Sequence, residues 1–98
     1  MEFENSVVLQ VLQASHGLIS PDMLAISAKV SSENVVLYFA LRRKTDEVDE
    51  DVEDIIFELD ALLGGGVMLE AQIYVGTPDE NWPGRSCRLV YLAKNSTT

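Results

Sequence analysis

Apolar positions recur along this chain with two different periods, and the switches between them predict the order of elements. Over residues 4–16, Val7, Val8, Val11 and Leu12 recur at i, i+1, i+4 and i+5, the stripe of an amphipathic helix. Gly17 is placed to cap it, and Ser20-Pro21-Asp22 marks a break. The period then falls to two. Leu24, Ile26, Ala28 and Val30 alternate with Ala25, Ser27 and Lys29. After the turn residues Ser31-Ser32-Glu33-Asn34, Val35, Leu37, Phe39 and Leu41 alternate with Val36, Tyr38, Ala40 and Arg42. These runs predict a β-hairpin whose second strand, apolar on both faces until Arg42, lies inside its sheet.

A second helix is predicted over 46–63. Thr45 can cap it, Val48, Val52, Ile55, Ile56, Leu59, Leu62 and Leu63 form one stripe, and Gly64-Gly65-Gly66 ends it. The period of two returns in Val67, Leu69, Ala71, Ile73 and Val75, which alternate with Met68, Glu70, Gln72 and Tyr74. After a long connection it returns again, with Leu89, Tyr91 and Ala93 alternating with Arg88, Val90, Leu92 and Lys94. These runs read as a second hairpin. The expected fold is therefore α+β: a two-layer sandwich in the order α-β-β-α-β-β, with a four-stranded, mostly antiparallel sheet and both helices on one face. One domain covers 1–94, and 95–98 form a frayed tail. The open face of the sheet is expected to show Val36, Tyr38, Tyr74, Val90 and Leu92 beside Glu70, Arg88 and Lys94. That is apolar enough for a homodimer or a partner.

Length and composition fit one domain: 98 residues, of which 47% are hydrophobic. Charge changes the picture more. Sixteen acids face 7 bases, a net charge of −9. Nine of the acids, Asp46, Glu47, Asp49, Glu50, Asp51, Glu53, Asp54, Glu58 and Asp60, lie on the second helix with no base among them. Without them the chain would be near neutral. Acids in the first turn favour the positive end of the helix dipole. Beyond it, like charges three and four residues apart, such as Glu50–Asp54 and Asp54–Glu58, repel by about 0.2–0.5 kcal/mol per pair. A helix selected for stability alone would carry Lys or Arg at some of these spacings. The cluster is thus either a solvated face that confers solubility or a negative surface that meets a basic partner. Direct binding to nucleic acid or to an anionic membrane is disfavoured, because both draw on positive charge.

The connection 76–86 carries the second candidate site. It holds the only tryptophan, Trp82, with Asp79, Glu80 and Arg85 around it. Trp and Arg are enriched at interface hot spots, although Trp82 could equally fold back over the core. The predicted partner-binding residues are therefore Asp46, Glu47, Glu50, Asp51, Glu53, Asp54 and Glu58 on the helix, and Asp79, Glu80, Trp82 and Arg85 in the loop. The basic triplet Arg42-Arg43-Lys44 reads as local balance for the helix or as a small anion site.

No catalytic, cofactor or metal site is expected. Asp49, Asp51 and Glu53 resemble the start of a calcium loop, but Asp54 stands where the turn needs glycine and the helical period runs through the segment. Cys87 is the only cysteine, which excludes an internal disulfide and a cysteine-based zinc site and suits a reducing cytoplasm. His16 is the only histidine, and no motif pairs it with a nucleophile. The Met1-Glu2-Phe3-Glu4 start has no basic region before an apolar run, so no signal peptide is expected. No apolar stretch approaches membrane-spanning length.

In size, charge and layout, though through no diagnostic motif, the chain resembles the small acidic immunity proteins of bacterial toxin–immunity systems of the contact-dependent growth inhibition type. That resemblance implies a cytoplasmic inhibitor whose partner is a basic toxin domain, often a nuclease, blocked by occlusion of its cleft. The alternative is a self-associating structural or regulatory adaptor that uses the open sheet face.

Overall fold

The computed structural model describes residues 2–93. Two helices and four strands follow one another as α1 (Glu2–Ser15), β1 (Met23–Val30), β2 (Asn34–Leu41), α2 (Asp46–Leu63), β3 (Met68–Val75) and β4 (Arg88–Leu92). A short 3-10 turn, Pro83–Ser86, precedes β4. Lys94 and the tail 95–98 lie outside the described residues.

Local chemistry sets the ends of α2. The Val48 N–H donates to Thr45 Oγ1 at 3.1 Å, and Asp46, Glu47 and Asp49 occupy the first turn, where backbone N–H groups are exposed. At the other end Gly64 adopts φ +83°, a left-handed conformation that glycine takes without steric cost. Its N–H bonds back to the Ala61 carbonyl, and that of Gly65 to the Asp60 carbonyl.

The sheet order is β3-β2-β1-β4. β1 and β2 form the expected antiparallel hairpin, and β2 lies inside the sheet. The expected second hairpin does not form. β3 runs parallel to β2, in register from Asn34–Met68 to Leu41–Val75, and β4 pairs antiparallel with β1 at the opposite edge. The sheet is therefore mixed, not mostly antiparallel. Two connections explain this. A parallel neighbour needs a crossover of a dozen or more residues, and α2 supplies one between β2 and β3. The connection after β3 must then carry the chain from one edge of the sheet to the other, about 14 Å across three strand spacings.

The two faces of the sheet are covered differently. Met23, Ile26, Ala28, Val35, Leu37, Phe39 and Leu41 pack against Val7, Val11 and Ala14 of α1 and Val48, Val52, Ile55 and Leu59 of α2, forming the main core. Leu12 and Leu62, assigned by periodicity to the apolar stripes, stay exposed at their margins. On the outer face the β3–β4 connection lays Trp82, 3% exposed, over the register partners Ala25 and Ala40, with Leu24, Tyr38 and Tyr74 around it. Two alanines leave room for the indole. Gly84 makes the closest approach: a Cβ there would come within 2.6 Å of both Tyr38 Cβ and Trp82 Cζ2. The outer face is therefore not open as expected.

Its composition also differs at β4. The register shifts between Ile26–Tyr91 and Ser27–Leu89, leaving Val90 as the extra residue of a bulge. Val90 packs on the main core, while Leu89 and Leu92 lie beside Trp82, Pro78 and Arg85 on the outer side. Arg88 reaches α1, 3.7 Å from Glu4 and 3.2 Å from Asn5 Oδ1.

Candidate protein-docking surface

Helical geometry decides where the acids of α2 point. Successive residues turn by about 100°, and the core takes the sector of Val48, Val52, Ile55 and Leu59. Asp46 and Glu50 then fall nearest the outermost direction, with Glu53 and Asp54 about 50° to either side of it. Glu47, Asp51 and Glu58 continue round one flank, and Asp49 and Asp60 round the other. The acids wrap the whole solvent side of the helix. One of them is neutralised locally: Lys44 Nζ lies 2.8 Å from Asp49 Oδ2. Arg42 and Arg43 turn away from α2 to Asp22, at 3.7 and 3.3 Å. Among the described residues the other eight α2 acids form no ion pair. The basic triplet therefore leaves most of the helix's charge uncompensated.

The flank of α2 facing β3 is apolar at its base. Val52, Ile56, Leu69 and Ala71 floor an open groove of about 520 Å³, and Glu53, Phe57 and Asp60 stand at its rim. Phe57 is 72% exposed, an aromatic ring held out among carboxylates. Ile73 and Val75, on the same side of β3, are exposed as well. The helices cover β1 and β2 and leave the inner face of β3 partly bare. Sequence reasoning missed Phe57. Its signal was an apolar residue off the helical stripe, surrounded by acids.

The loop candidates separate by burial. Asp79 holds its own turn: its carboxylate accepts from the Asn81 N–H at 3.0 Å and from Thr77 Oγ1 at 3.2 Å. Trp82 is spent on the outer face of the sheet. Glu80 and Arg85 are exposed. Because Trp82 and α2 pack on opposite faces, the sheet stands between the two predicted groups and does not bring them together.

Other chemistry is sparse. Among the described residues no three or more His, Cys, Asp or Glu side chains converge in a group able to hold a metal. Cys87 is half-buried, its Sγ 4.0 Å from the Pro83 carbonyl oxygen. His16 is exposed just beyond the end of α1. No helix among the described residues is long and apolar enough to cross a membrane. Compared with known proteins, the chain matches no family model and no curated protein.

Proposed function

We propose that this protein is a protein-binding inhibitor that docks a basic partner through α2, and that the partner is a toxin domain of the nuclease type, whose cleft the helix occludes. One observation carries the reading: eight carboxylates on α2 without an ion-pair partner among the described residues, with the exposed Phe57 between them. Uncompensated charge of one sign costs helix stability through repulsion and raises the rate of encounter with the opposite sign. The ring supplies apolar contact that a purely solvating surface would not need. A basic cleft built for phosphates is complementary to such a helix. The lone cysteine is consistent with action in the cytoplasm.

The test compares the wild type with a triple variant, Glu50→Lys, Asp54→Lys and Glu58→Lys, as bait in lysate of the native host at low and high salt. The expected result is one stoichiometric basic protein held by the wild type, released by salt, and lost with the triple variant while its circular dichroism stays native. Equal capture by both would remove α2 from the contact. Self-association through the outer sheet face has less support, because the Trp82 connection already fills the middle of that face.

A further inference from the structure

The two edges of the sheet are not equally protected. β4 is short, bulged and carries Arg88, features that discourage another strand from pairing. β3 has eight residues in unbroken register with β2, and its sequence MLEAQIYV holds no proline and no lysine. The ladder fixes which of its groups are free. The Met68 N–H bonds to the Glu33 carbonyl and that of Gly76 to the Leu41 carbonyl, so the even-numbered residues turn their N–H groups to β2. Leu69, Ala71, Ile73 and Val75 turn theirs outward. The side chains of these same four lie on the helix side of the sheet, beside the α2 groove. A free hydrogen-bonding edge, an apolar trough and a carboxylate rim thus run side by side.

Charge selects the occupant. A second copy paired antiparallel on β3 about a two-fold axis would bring two α2 helices together on one face, with Glu53 and Asp60 of each confronting the other. A cationic strand meets the opposite situation. We propose that the basic partner contributes an extended segment that adds to β3 as a fifth strand. Its alternate apolar side chains enter the α2–β3 groove against Phe57, and its Lys or Arg residues reach Glu53 and Asp60. This deepens the reading above, on which it rests, by assigning the partner's bound conformation and the register of its contacts.

The test uses the full chain and a soluble peptide that alternates valine with threonine between lysine pairs, with a glutamate-flanked counterpart as control. Amide exchange followed by NMR reads the outcome. The lysine peptide should slow exchange at Leu69, Ala71, Ile73 and Val75, and the glutamate peptide should not. Ala71→Pro removes an outward N–H without touching the bonds to β2, and an edge strand tolerates it. It should weaken the peptide at least about tenfold, a loss of about 1.4 kcal/mol. Phe57→Ala, at an exposed site that folding does not depend on, should weaken it too. The idea is overturned if the peptide leaves those amides unprotected, or if both variants bind as the wild type does. Protection of the same amides by raised protein concentration alone would put a second copy there and overturn it as well. If Ala71→Pro still captures the basic protein that the triple charge variant loses, the strand mode fails while the acidic-helix reading stands. If neither variant changes capture, both fail.

Discussion

Replacing Asp54 with lysine should make the free protein more stable while weakening its hold on a basic partner. Asp54 is exposed near the middle of α2, clear of both helix ends, so the dipole contributes little. Its helical neighbours at i−4, i−3 and i+4 are Glu50, Asp51 and Glu58. Each like-charge pair costs about 0.2–0.5 kcal/mol, and each opposite pair returns a similar amount. Reversing one charge converts three repulsions into three attractions, an upper range of about 1–3 kcal/mol. Solvent screening and the less favourable Lys-before-Glu order toward Glu58 reduce this to about 1 kcal/mol. Lysine's higher helix propensity adds a few tenths. For a domain of this size such a gain raises Tm by about 4–8 °C. Urea unfolding followed by circular dichroism should show the gain at about 10 mM salt and most of it lost at about 1 M, where the Debye length falls to about 3 Å. A gain that salt leaves unchanged would assign it to propensity alone. A loss of stability would mean that the Asp54 carboxylate has a structural role, and the reasoning about an uncompensated helix would fall.

Two further outcomes concern the outer face. Gly84→Ala should destabilise by about 1–3 kcal/mol, because its methyl meets the Cβ of Tyr38 on a central strand rather than a flexible side-chain tip; an unfolding midpoint equal to wild type would show the connection to be looser than described. Trp82→Ala should cost about 3–5 kcal/mol, whereas Arg85→Ala should stay within about 0.5 kcal/mol in the same urea titration. A stable Trp82→Ala protein that had lost only partner binding would return the indole to the list of contact residues.

The elements themselves were legible in the sequence, because each rests on local chemistry. Thr45 and the Gly64-Gly65-Gly66 run bracket α2, and the alternation about Ser31–Asn34 gives the β1–β2 hairpin. Strand neighbours were less legible. Leu69, Ala71 and Ile73 have the period of a strand whatever lies beside them, and nothing local distinguishes β2 from β4 as the partner of β3. Non-local cues were present: a whole helix between β2 and β3, and a connection after β3 too long for a tight turn. The parity of β4 failed at Arg88, Leu89 and Val90, because the bulge at Val90 exchanges the faces of the residues before it relative to Tyr91 and Leu92. In the candidate site, the acids were plain from the sequence, whereas their lack of partners depends on Arg42 and Arg43 turning to Asp22, a tertiary choice.

The sheet order also says something about assembly. The two central strands are adjacent in the chain and joined by a tight turn, while each outer strand arrives through a long excursion, one across the inner face and one across the outer. The central pair closes the smallest loop and can form before the rest has found its place. β3 and β4 then dock on opposite sides of it without touching one another. The fold can thus grow from its middle outward, and each half of the later sequence completes a different face.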